Sequence, residues 1–176
     1  MPYCFLGEGS NLLVSDDGYR GVVLRCKGRR IRLNDDLVEA EAGAPLQALV
    51  DFTIVQGMKG LHTLERVPGS VGGAIYGNAG AYGNSMDQAI VGVRYLEDGI
   101  VRQASKADCE FRYRESVFKR HKNRCILSCT VRLPEGVGAM LQKEAVEIRR
   151  IATRSSSDRA LRGQHLQESL LGGLAQ

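Results

Sequence analysis

The sequence predicts an α+β fold, and three observations lead there. Strand-like runs, one amphipathic helix, a glycine-rich segment, a hairpin and a long apolar run follow one another, without the regular strand–helix alternation of a parallel sheet. A hydrophobic share of 43% over 176 residues is enough for a core, with one domain as the default and two small lobes possible. Asp98-Gly99 stands between two apolar runs, the mark of a tight type I′ hairpin turn.

Tyr3–Leu6 is short and apolar and runs straight into glycine, so it reads as a strand that ends in a ligand loop. Gly21–Cys26 and Leu37–Ala42 are further strands, with Asn34-Asp35-Asp36 as the turn before the second. Pro45–Gln56 predicts a helix, with Pro45 suited to its first turn and Gly57 to the position just past its end. Leu61–Val67 is a short helical or irregular link, in which His62 is expected at the surface and Glu65 and Arg66 either pair or face solvent. Ala89–Leu96 and Ile100–Gln103 flank the hairpin turn, and Arg124–Leu133 is the longest strand candidate. Met140–Ile151 predicts a helix with a charged outer face. Beyond Arg154 the core pattern stops, and 163–176 reads as a frayed end.

Composition narrows the function. A net charge of +4 suits an anionic small ligand and makes no case for nucleic acid, since the basic residues lack interleaved stacking aromatics. No apolar run approaches the roughly 18 residues that a membrane helix needs, and the N-terminus lacks the charged and apolar regions of a secretory signal. Five cysteines without framework spacing read as reduced thiols, hence a cytoplasmic protein. Cys109, His121, Cys125 and Cys129 match zinc-ligand spacing poorly, and packing thiols with no metal is the expectation.

Function is concentrated in three places. Six of the sixteen residues from Pro68 to Gly83 are glycine, a density that suits a main chain acting as the binding surface. Gly7-Glu8-Gly9-Ser10-Asn11 forms either a nest of amides for phosphate oxygens or a plain turn, and Leu12 stands where a third glycine would complete a dinucleotide fingerprint. Ser70 is placed to cap a short helix, where Gly72 and Gly73 would offer bare amides to an anion or would serve tight packing. Two such cradles suit a pyrophosphate. Asn78 and Tyr82 either reach a ligand ring or satisfy turns. The stretch 109–124 holds six Lys or Arg against two Glu. Lys119–Arg124 is expected to be a solvated loop, whereas Phe111 and Phe118 flank Tyr113-Arg114 and are expected to hold that guanidinium rigid.

Taken together, Leu6–Val14, Val67–Ala74, Asn78–Gly83 and Phe111–Lys119 closely resemble the UDP-N-acetylenolpyruvoylglucosamine reductase family, from about residue 3 to residue 153. The resemblance implies an FAD-binding domain of the vanillyl-alcohol-oxidase (PCMH) type over 1–134, without the family's first strands. It implies that 135–176 holds a helix and an aberrant tail, where a substrate-binding lobe would begin. Gly7, Glu8, Gly9, Ser10, Asn11, Pro68, Gly69, Ser70, Gly72 and Gly73 would hold the FAD pyrophosphate, with Asn78, Gly80 and Tyr82 near the cofactor. Tyr113 and Arg114 would meet the substrate, a UDP-sugar enolpyruvyl ether, and Arg114 would be catalytic. NADPH would be the hydride donor and the product would be UDP-N-acetylmuramate for peptidoglycan. The family's later serine motif and glutamate are absent from this sequence, so the expectation is either an incomplete reductase or a catalytically inactive FAD-binding fragment, with a frame shift near residue 153 as one origin of the tail. Ser155–Ser157 lack the glycine context of that serine.

Overall fold

The computed structural model describes residues 1–153. Its centre is a five-stranded antiparallel sheet in the order β3-β4-β9-β7-β8. The strands are β3 (Ile31–Asn34), β4 (Leu37–Glu41), β7 (Ile90–Glu97), β8 (Ile100–Ser105) and β9 (Cys125–Arg132). A separate parallel ribbon pairs β1 (Tyr3–Phe5) with β2 (Val22–Leu24), and a small hairpin pairs β5 (Gly80–Ala81) with β6 (Asn84–Ser85).

Alternation sets the buried face of the main sheet. In β4, Val38 and Ala40 are buried while Leu37, Glu39 and Glu41 are only partly covered, the period of two expected of a pleated strand. Val93, Cys129 and Val131 complete that face from the neighbouring strands. Helix α1 (Leu46–Val55) lays Leu46, Leu49, Val50 and Ile54 into the same core. Pro45 precedes it as the capping residue, one position earlier than the sequence suggests. Asp98 and Gly99, at φ of 50° and 80°, turn the β7–β8 hairpin as the sequence predicts.

The sequence reading does not single out strand β3. Ile31-Arg32-Leu33-Asn34 alternates apolar and polar, but four residues are too few to mark a strand; the turn at Asp35-Asp36 and the register with β4 create it. Single helical turns α3 (Met86–Ala89) and α4 (Val117–Arg120) are likewise too short to carry a period.

A last helix, α5 (residues 138–153), docks Leu141 and Ala145 onto the core. Its polar anchors lie on the 3-10 turn Leu61–Leu64 and the residue after it. His62, expected at the surface, is buried: its Nδ1 accepts from the Gly60 amide at 3.2 Å and its Nε2 meets the Glu144 carboxylate at 2.9 Å. Glu65 is also buried, bonded by Gln47 at 2.7 Å and by Arg149 at 2.8 Å. Local sequence gives no sign of either burial, because the helix that covers both residues is some eighty positions away. The expectations for Ser155–Ser157 and 163–176 lie outside the described residues.

Candidate functional site

Two glycine bends far apart in the chain meet. The first follows β1, whose last ladder bond is from Leu6 N–H to the Leu24 carbonyl at 2.9 Å. The second precedes helix α2 (Val71–Tyr76). The Ser10 hydroxyl donates to the Pro68 carbonyl at 3.3 Å, and a Cβ placed on Gly7 would stand 2.7 Å from Ser70 Oγ. Only glycine at position 7 lets the two bends touch without displacing Ser70. Gly69 holds φ of +123°, a conformation closed to residues with side chains.

The amides divide into used and unused. Val71 donates to the Ala44 carbonyl and Gly72 to the Ala42 carbonyl, each at 2.8 Å, and Gly73 donates to the capping Ser70 hydroxyl at 3.2 Å. The expectation of bare amides at Gly72 and Gly73 is therefore corrected: β4's exit loop and the Ser70 cap take them. A Cβ on Gly72 would come within 3.0 Å of Ala42, so its role here is close packing. Among the described residues, the amides of Gly7, Glu8, Gly9, Ser10, Asn11, Gly69 and Ser70 donate to no protein acceptor. These seven donors lie on the two bends that touch.

Helix α2 leads from this cradle to a second feature. Six residues span about 9 Å at a rise of about 1.5 Å each. At its far end, the Tyr76 carbonyl accepts from the buried Ser116 hydroxyl at 2.7 Å. Burial first, and then the Glu115 carboxylate, raise the Tyr76 phenol above its ordinary value. Beside this end lies a groove of about 510 Å³ whose walls include Gly80, Tyr82, Phe111, Tyr113 and Arg114.

Arg114 sits in a tight turn closed by paired bonds between Arg112 and Glu115, each 3.1 Å. Its own φ is 55°. Three groups fasten the turn: Asn78 Nδ2 donates to the Arg112 carbonyl at 3.0 Å, Lys119 Nζ to the Arg114 carbonyl at 3.0 Å, and Arg114 Nη2 to the Gly80 carbonyl at 3.0 Å. The guanidinium also lies 5.8 Å from the Tyr113 ring centre, within cation–π reach. Phe118, expected to brace the guanidinium, is instead fully buried edge-on against Tyr95. Lys119, expected in a solvated loop, is an anchor of the Arg114 turn. No spacing announces that bond, because it exists only with Arg114 in a left-handed conformation. Arg124 likewise leaves the solvent, pairing with Glu97 at 2.6 Å beneath Tyr95.

Asn78 is buried with both ends of its amide engaged, since its Oδ1 also accepts from the Asp87 amide at 3.1 Å. Tyr82 is exposed and turns the β5–β6 hairpin with φ of 50°. Among the described residues, seven non-glycine residues have positive φ, and three of them, Asn78, Tyr82 and Arg114, border one groove. Such clustering makes the groove a candidate site. Another hollow, of about 460 Å³, lies by Asp36, Gln88 and Arg132, but Asp36 neutralises Arg132 at 2.8 Å and no glycine bend reaches it.

The FAD-binding-domain family matches residues 1–105. The chain belongs to this family. The chain is 44% identical over 145 residues to the UDP-N-acetylenolpyruvoylglucosamine reductase of Solibacter usitatus, covering 82% of this chain and 46% of that protein. It superposes on the crystal structure of the reductase from Thermus caldophilus with a TM-score of 0.76 and 28% identity, over 86% of this chain and 56% of the other. Quinoline 2-oxidoreductase from Pseudomonas putida 86, at 14% identity and a TM-score of 0.57 over 75% of this chain and 52% of that one, shares the fold alone. The chain spans about half the length of the curated relatives it matches. Its fold is thus a partial FAD-binding domain of the vanillyl-alcohol-oxidase type, in an oxidoreductase family.

Proposed function

We propose that this FAD-binding chain is the cofactor-holding part of a UDP-N-acetylenolpyruvoylglucosamine reductase, which uses NADPH to reduce UDP-N-acetylglucosamine enolpyruvate to UDP-N-acetylmuramate in the cytoplasm. The observation that carries this reading is the contact of the two glycine bends, on which seven amides have no protein acceptor among the described residues. Held by these amides, FAD would supply hydride-transfer chemistry. Binding and charge stabilisation fall to the chain's own residues. The amides of Gly7–Asn11, Gly69 and Ser70 bind the diphosphate, and α2 separates that charge from the groove. Arg114 faces the substrate carboxylate and offsets the negative charge that grows as the double bond is reduced. Asn78 and Lys119 keep the Arg114 turn in place, so the cation needs no rearrangement when charge develops. Tyr82 and Tyr113 border the same groove and limit what enters it.

A second reading is a catalytically inactive FAD-binding fragment. It concerns the span of this chain, which is about half the length of the curated relatives. One experiment separates the readings. The purified chain is titrated with FAD in a calorimeter, then mixed with NADPH and the enolpyruvyl sugar nucleotide while NADPH absorbance is followed. Bound yellow flavin with turnover supports the reductase, and bound flavin without turnover supports the fragment. Folded chain that takes up no FAD would falsify both.

A further inference from the structure

We propose that Cys26 and Cys125 are a redox-responsive thiol pair, which a peroxide closes to a disulfide joining the segment after β2 to the first residue of β9. The two Sγ atoms lie 3.7 Å apart although the residues are separated by 99 positions. Both thiols also approach one acceptor, the Ile126 carbonyl, at 3.6 Å from Cys26 and 3.9 Å from Cys125. The topology creates this meeting. Strand β4 leaves the sheet at Ala42, whose amide makes its bond to Leu127 at 2.8 Å. Beyond that point the edge of β9 is open, and residues 26–28 cross it. Their carbonyls press on the β4 exit loop, so that a Cβ on Gly43 would collide with Cys26 O and come within 2.7 Å of Gly28 O.

The other thiols lack this arrangement. Cys109 and Cys129 are buried and have no second sulfur in contact; burial pushes both up to about 12, as it does Cys125, so what sets the pair apart is the facing sulfur. Cys26 is half-buried and open to a small oxidant, whereas Cys125 lies behind it. The Cys26 sulfur, giving up its proton, attacks one oxygen of the peroxide and the O–O bond breaks. That sulfur becomes a sulfenic acid, and the other oxygen leaves as water after taking a proton. The Cys125 sulfur then attacks the Cys26 sulfur, the S–O bond breaks, and that oxygen departs as a second water carrying the Cys125 proton. Two thiols and one peroxide become one disulfide and two waters. A disulfide bond of about 2.05 Å requires the sulfurs to close by under about 2 Å, within reach of side-chain rotation and a small loop shift. The ribbon that carries the Gly7 bend becomes covalently tied to the central sheet. None of these steps requires bound flavin.

The test treats the full chain with excess hydrogen peroxide, unfolds it in denaturant with iodoacetamide so that every remaining thiol is blocked, and maps peptides by mass spectrometry without reduction. The expected result is a Cys26–Cys125 linked peptide, alkylated Cys4, Cys109 and Cys129, and a melting temperature raised by about 5 °C or more, reversed by dithiothreitol. Cys26→Ser should lose the linked peptide and the rise in melting temperature together. The peptide map of the unaltered chain decides the matter even if that variant folds poorly. Peroxide treatment that leaves both residues as thiols, carries Cys26 to sulfinic acid, or links Cys26 to Cys4 would overturn the proposal.

Discussion

Gly7 shows how one missing side chain positions a site. A valine there would drive its Cβ to within 2.7 Å of Ser70 Oγ, and Ser70 would surrender the bond it accepts from Gly73. Gly7→Val should therefore lower FAD affinity at least about tenfold and cost about 1 kcal/mol of stability through the lost helix cap, measured by calorimetric titration and thermal melting. Arg114 belongs to the same scale. In a complete reductase, Arg114→Ala should reduce kcat on the order of a hundredfold, because removing a fixed cation from developing charge acts on the transition state. Steady-state kinetics check this, and an unchanged kcat would take Arg114 out of the chemistry. The sequence motif singles out Arg114, but its anchors at Asn78, Lys119 and the Gly80 carbonyl are not legible there, since they act across a left-handed turn.

Elements are held to one another by a few ionic contacts, and these make the stability depend on conditions. The hydrogen bond from Arg124 holds the Glu97 carboxyl below its ordinary 4.5, with further help from Arg102. Arg120 does the same for Glu110, and Ser105 for Asp108. These are depressed carboxyl values, so their contribution is complete above the ordinary range and disappears as pH falls through the folded values. The melting temperature should fall on acidification below about pH 4.5, and Glu97→Gln should flatten that acid limb in scans from about pH 3 to pH 7. Besides Leu141, Ala145 and the His62–Glu144 contact, helix α5 is held by Arg149 reaching Glu65, whose side chain is 1% exposed. Arg149→Ala leaves that carboxylate buried with only Gln47, and should destabilise the chain by about 2 kcal/mol, read by urea melting. The helix itself is visible from its apolar period. Its docking surface is not, because a helix pattern says which face is apolar but not what that face meets.

At the scale of the molecule, the FAD-binding chain has two parts of unequal cohesion. The five-stranded sheet shares one core with α1, α2 and α5, whereas the β1–β2 ribbon leaves Tyr3, Leu13, Val23 and Leu24 exposed. Ribbon and body touch at Ser10–Pro68, Gly7–Ser70 and Cys26–Cys125. Hydrogen exchange should therefore be fast in Tyr3–Leu24 and slow in β7 and β9, and FAD should slow exchange of the Gly7–Asn11 amides more than any in the sheet. Equal protection of ribbon and sheet without FAD would contradict this division.

The sequence alone determined the α+β class, the positions of the longer strands and of α1, and the two glycine bends. Each of these is a local property, written in hydrophobic period, turn chemistry and glycine density. The tertiary structure decided which amides remain for a ligand: Gly72 and Gly73 lose theirs to β4's exit loop and to Ser70, while Gly69 and Ser70 keep theirs beside Gly7. It also decided that His62 and Glu65 are interior and that Cys26 meets Cys125. A hydrogen bond or a burial is a relation between distant residues, and chain closure creates it only when the sheet has formed.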